Sequence, residues 1–202
     1  MLTTADASLA ALARSLRDHG ASRSDHARHH ASAAFLLADY DRVGFNFRLT
    51  DIQAAVGSVQ MDRAAWIGQE RARVAAQYDA ALTRFTWLSP PTTPAGYQHG
   101  YQAYVCLFRP EEPTLANVDR LHDWRNRLML RLEERGVSTR QGTHAPVLQN
   151  FYRDKYRLTA AAFPQSTIAD RLSLTLPLFP GMTGEEQSYV IDELGVAFEA
   201  TR

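Results

Sequence analysis

Gly44-Phe-Asn-Phe-Arg-Leu-Thr-Asp-Ile-Gln-Ala-Ala55 is the stretch on which the reading of this chain turns. Gly44–Leu49 reads as an extended segment, and Asn46 and Arg48, two apart, project to the same side of it. Thr50-Asp-Ile-Gln53 is a capping box, with Thr50 as cap and Gln53 reaching back to it. The helix it opens is expected to run to about Phe85. Ile52, Ala55, Val56 and Val59 form one apolar stripe, continued loosely by Ile67, Val74, Tyr78, Ala81, Leu82 and Phe85. Gly57 and Gly68 lower helix propensity and suggest close packing or a kink. A helix of that length suits a bridge between two domains.

Upstream, Met1–Thr4 reads as a short strand or strand end. Asp6 caps a helix to about Asp18 that carries Leu9, Leu12, Ala13 and Leu16 and stops at Gly20. Residues 21–30 read as a polar loop, and Ala31–Leu37 is too short to separate helix from strand. Downstream, Ser89–Gly96 is a Pro-rich connector, the best boundary in the chain. Beyond it come a strand at Tyr101–Phe108, a helix capped by Asn117 and stopped by Gly136, and a strand at Val137–Arg140. Arg171–Leu176 alternates Leu172, Leu174 and Leu176 with Ser173 and Thr175, the period of a sheet with one wet face. Thr183-Gly-Glu-Glu186 is a second capping box and opens the final helix. Residues 97–202 therefore make a self-consistent small α+β domain. Residues 1–88 do not, because their apolar stripes have no sheet to cover them.

Composition narrows the function classes. The chain has 202 residues, 45% hydrophobic, with 22 basic and 22 acidic residues. That balance gives no field favouring nucleic acid or an anionic membrane, and no run is long and apolar enough to span a bilayer. The single cysteine, Cys106, fits a reducing cytoplasm and reads as a buried, inert thiol. His19, His26, His29 and His30 lack the companion ligands a metal site needs, so no metal is expected. Of the basic residues only Lys155 is a lysine, and its neighbours Arg153, Asp154 and Arg157 mark a solvated surface turn.

Four motifs in order resemble one family. They are GFNFRLTDIQAA; the opening MLTT with its helix and RDHGASRSDHARH; GVSTRQGTHAPVLQNFYR; and FPQSTIADRLSLTLPLFPGMTGEEQSYVIDEL. All four resemble the C-terminal half of the DegT/StrS-type aminotransferases. These are α/β enzymes of the pyridoxal-phosphate-dependent fold type I, which aminate keto-sugars carried on nucleotides. The resemblance implies a truncated fold: residues 1–88 as the end of the large domain, 89–96 as linker and 97–202 as the small domain. It implies pyridoxal 5′-phosphate as cofactor, an amino-acid donor such as glutamate or glutamine, and a cytoplasmic homodimer. It makes Asn46 and Arg48 cofactor-binding residues, with Asn46 approaching the phosphate in the other subunit, and makes His144 substrate-facing. The family's cofactor lysine falls upstream of Met1, so no catalytic residue is expected in this chain and it is expected to be inactive alone. Two alternatives stay open: a non-catalytic homologue acting as an interaction partner, and a same-fold sugar dehydratase.

Overall fold

A computed structural model describes residues 2–22 and 39–202. The element sought at Ala31–Leu37, most of the loop at 21–30, and His26, His29 and His30 lie outside them. The chain divides into two compact units, Met1–Asp62 and Arg63–Arg202.

In the first unit, α1 spans Ala7–Arg17. Asp6 caps it as expected, its Oδ1 accepting from the N–H groups of Ser8 at 2.8 Å and Leu9 at 3.0 Å. The chain leaves the helix through His19 and Gly20, both at positive φ (59° and 80°). A returning segment then lies against that turn. Phe45 N–H donates to Leu16 O at 2.7 Å, His19 N–H to Phe45 O at 2.9 Å and Phe47 N–H to Arg17 O at 3.0 Å. Two glycines permit the approach. A Cβ on Gly44 would sit 2.1 Å from Gly20 N, and one on Gly20 would sit 1.9 Å from Arg42 O.

The second helix, α2, spans Asp51–Asp62. Its capping box is present: Gln53 N–H donates to Thr50 Oγ1 at 3.3 Å and Thr50 N–H to Gln53 Oε1 at 3.2 Å. Neither α1 nor α2 buries a residue, and Ile52, Val56 and Val59 of the apolar stripe are all exposed. Residues 2–4 form no strand.

The second unit opens with α3, Ala64–Leu82. The single helix expected from 51 to Phe85 is therefore interrupted at Arg63 and ends at Leu82. The interruption falls at neither Gly57 nor Gly68, and no residue type marks it. Three antiparallel strands follow, β1 (Leu88–Ser89), β2 (Tyr104–Phe108) and β3 (Ser173–Leu176), in the order β1-β2-β3. In β2 the buried Tyr104, Cys106 and Phe108 alternate with half-exposed Val105 and Leu107. Tyr104 pairs with Leu176 and Cys106 with Leu174.

Helices α4 (Val118–Glu134) and α7 (Gly184–Thr201) enclose the sheet's apolar face together with α3. Between the strands lie α5 (Asn150–Tyr156) and α6 (Pro164–Leu172). Val74, Tyr78 and Leu82 of α3, Leu128 and Leu132 of α4, and Leu194 and Phe198 of α7 share one core. Trp87 stacks on Phe198 with centroids 4.1 Å apart. Each large side chain so buried contributes about 1.5–3 kcal/mol. The expected connector at 89–96 falls inside this unit, because α3 and β1 belong to its core.

Other expectations are corrected. The Asn117 side chain accepts no capping hydrogen bond from the helix. Its Oδ1 instead accepts from Thr114 N–H at 2.7 Å, closing the turn ahead of the helix. Val137–Arg140 is not a strand; only Arg140 bridges Thr175. The strand at Tyr101–Phe108 is confined to β2, since Tyr101 takes a positive φ of 42°. Arg171 and Leu172 finish α6 rather than begin β3. The second capping box is as read, with Glu186 N–H donating to Thr183 Oγ1 at 3.1 Å and Thr183 N–H to Glu186 Oε2 at 2.8 Å.

Candidate functional site

Asn46 sits in the returning segment of the first unit, bridged through its backbone to Asp18. Its neighbours Phe45 and Phe47 stack ring on ring at 4.9 Å on the opposite side of the segment. The backbone of the segment is held against the turn after α1, and Asn46 is exposed. Arg48 lies on the same side and donates to Asp18 Oδ1 at 3.2 Å. A neutral amide donor and a guanidinium two residues apart make a small array suited to an anionic oxygen group.

His144 belongs to the second unit, on a loop built almost wholly from long-range hydrogen bonds. Ser173 Oγ accepts from Gly142 N–H at 3.0 Å and from Thr143 N–H at 3.2 Å. Asp170 Oδ2 accepts from Ala145 N–H at 2.7 Å. Gln141 Nε2 donates to Thr143 O at 2.9 Å and lies 3.4 Å from His144 Nδ1. Arg125, 1% exposed, donates to Ser173 O at 3.0 Å and to Gln141 Oε1 at 3.5 Å. Burial lowers its pKa, and the Asp170 carboxylate opposes that shift. Gly142 must lack a side chain, because a Cβ there would meet Val105 Cγ1 at 2.2 Å. The loop packs its N–H groups inward, and the His144 side chain is left exposed.

The remaining candidates separate clearly. Lys155 stands on α5, not in a turn, and is exposed, its ammonium 5.3 Å from the rings of both Phe151 and Tyr156. Cys106 is buried in β2, and burial, aided by the nearby Asp79 carboxylate, pushes its thiol up to about 12. Tyr104 donates to Asp79 Oδ1 at 2.5 Å, and burial foremost pushes that phenol up too. A cavity of about 260 Å³ is lined by Asn126, Met129, Leu130, Glu133, Thr139 and Arg140; no candidate residue lines it.

Sequence reading reached His144 but missed its supports, Gln141, Asp170 and Ser173. Strand alternation puts Ser173 on the wet face. Its burial follows from a partner 31 residues upstream that strand periodicity does not register.

The family described as DegT/DnrJ/EryC1/StrS aminotransferases matches residues 1–195. MJ1066 of Methanocaldococcus jannaschii is 26% identical over 192 residues, 95% of this chain and 47% of that protein. Among solved structures, Helicobacter pylori PseC, an aminotransferase involved in pseudoaminic acid biosynthesis, superposes with a TM-score of 0.78 at 18% identity. That match covers 98% of this chain and 48% of PseC. Spr1654 of Streptococcus pneumoniae, described as a putative sugar aminotransferase, gives in its PLP form a TM-score of 0.73 at 19% identity, over 93% of this chain and 43% of that one. The chain spans about half the length of the relatives it matches.

Proposed function

The chain belongs to the DegT/DnrJ/EryC1/StrS aminotransferase family, and from that premise we propose that it supplies part of the site of a nucleotide-sugar aminotransferase. The reaction moves an amino group from an amino acid, glutamate or glutamine, to a keto-sugar on a nucleotide carrier. In this reading the N-terminal unit belongs to the end of the larger domain and Arg63–Arg202, with the 89–96 connector inside it, forms the smaller one, in a cytoplasmic homodimer.

Pyridoxal phosphate supplies the electron sink for such a transfer when bound. The residues present fit one edge of it. Asn46 presents an exposed carboxamide on a backbone held by three hydrogen bonds, and Arg48 lies beside it. They do not fit its covalent attachment. A lysine that bonds the cofactor needs a desolvated amine, and Lys155 is exposed on α5. In this reading Asn46 donates to the cofactor phosphate across the dimer, Arg48 adds charge there, and His144 faces the sugar nucleotide. The lysine that completes the site comes from outside these residues, and the chain alone does not transaminate.

The observation that carries the reading is Asn46, fixed by backbone pairing and exposed, in a chain matched to the family over 1–195. The test is Asn46→Ala in the protein expressed from the whole of its reading frame, assayed for glutamate-dependent amination of a dTDP-linked keto-sugar. Losing a donor to a charged group costs about 1–3 kcal/mol, so affinity for pyridoxal phosphate falls roughly 5- to 150-fold. The sugar KM changes little. Unaltered cofactor affinity, or no amination by the parent protein, rejects the proposal.

A further inference from the structure

The backbone of the loop bearing His144 is held by side chains from outside the loop. Gly142, Thr143 and Ala145 send their N–H groups to two side chains at the junction of α6 and β3, Ser173 and Asp170. Both acceptors are buried, so water competes poorly for those bonds. Gln141 adds a directional constraint. Arg125 has only donors, so its contact at 3.5 Å identifies the Gln141 atom facing it as the oxygen. The Gln141 nitrogen then faces Thr143 O and His144 Nδ1. An amide nitrogen only donates, so this contact pairs it with Nδ1 as acceptor, the arrangement that matches the Nε2–H tautomer.

We propose that Gln141, Asp170 and Ser173 are positioning residues that hold His144 as its Nε2–H tautomer, pointing that N–H outward as a donor to an oxygen of the sugar nucleotide. The choice of ligand rests on the functional reading above; the tautomer and the loop geometry do not. A donor preset in this way recognises a hydroxyl or phosphate oxygen without reorganising on binding.

The experiment uses the 202-residue chain at pH 8. Long-range 1H–15N spectra of His144 report the tautomer, and hydrogen exchange reports Gly142, Thr143 and Ala145. The wild type shows the Nε2–H form and slow exchange at all three amides. Gln141→Glu places a carboxylate acceptor against Nδ1 and turns the ring to the Nδ1–H form. Ser173→Ala speeds exchange at Gly142 and Thr143 at least tenfold, and Asp170→Ala does so at Ala145. Asp170→Asn, which keeps an acceptor oxygen, restores protection. A tautomer unmoved by Gln141→Glu, or exchange unmoved by both alanine variants, overturns the proposal; a merely structural role moves exchange but not the tautomer. Titration with dTDP-glucose is a separate arm. If His144 does not respond to it while tautomer and exchange behave as stated, the positioning stands and the assignment of His144 to the sugar nucleotide fails.

Discussion

Replacing Gly44 by alanine tests the placement of Asn46 without touching Asn46. The added Cβ would lie 2.1 Å from Gly20 N, 2.4 Å from His19 C and 2.9 Å from Gly20 Cα. All three are backbone atoms, so no side-chain rotation relieves the overlap. The returning segment has to leave the turn after α1, and with it go the hydrogen bonds Phe45→Leu16, His19→Phe45 and Phe47→Arg17. At about 0.5–1.5 kcal/mol net for each bond, the loss is roughly 2–4 kcal/mol. Exchange at the amides of His19, Phe45 and Phe47 should accelerate about 30- to 1,000-fold, taking tenfold per 1.4 kcal/mol. Gly57→Ala is the control. Nothing lies within 4 Å of its Cβ, and alanine favours the helix, so α2 should gain up to about 1 kcal/mol. Equal exchange in Gly44→Ala and the parent chain would refute the close approach and the fixed geometry of Asn46 that depends on it.

Other outcomes follow from the second unit. A chain beginning at Arg63 should unfold cooperatively, whereas one beginning at Tyr97 should not fold. The latter lacks Val74, Tyr78, Leu82, Trp87 and Leu88, a deficit on the order of 10 kcal/mol against a usual total of about 5–15; urea denaturation of both decides. Cys106 should resist a thiol reagent at pH 8 in the folded chain and react fully in urea, because its thiol is buried and its pKa is pushed up to about 12. Arg135 donates two hydrogen bonds to Glu193, at 2.8 and 3.0 Å, and holds its carboxyl below the ordinary 4.5. A depressed folded pKa stabilises above the unfolded value and is lost as pH falls through the folded one. Urea midpoints should therefore drop more steeply below pH 4.5 in the parent chain than in Glu193→Gln.

Local signals were legible where the physics is local. Asp6 at α1 and both capping boxes read correctly, because a cap is decided within four residues. The alternation of Leu172, Leu174 and Leu176 was real, yet Leu172 ends α6, since one strand period cannot be distinguished from the last turn of a helix. Asn117 had a cap's composition and position, but the carboxamide had a nearer partner in Thr114 N–H. The apolar stripe of α2 was read correctly and remains exposed. The supports of His144 were illegible for a different reason. Ser173 and Asp170 act across 25 to 31 residues of sequence, and nothing in their surroundings marks a serine as an acceptor for a distant loop.

Trapping on Lys155 tests the central claim most directly. The 202-residue chain is incubated with pyridoxal phosphate, reduced with borohydride and mapped by peptide mass. Lys155 is its only lysine, and it lies exposed on α5 with its ammonium over two aromatic rings. If the chain holds the phosphate-facing Asn46 and the substrate-facing His144 of a site whose lysine lies elsewhere, labelling of Lys155 stays far below one equivalent. A stoichiometric adduct on Lys155, abolished in Lys155→Ala, would contradict it.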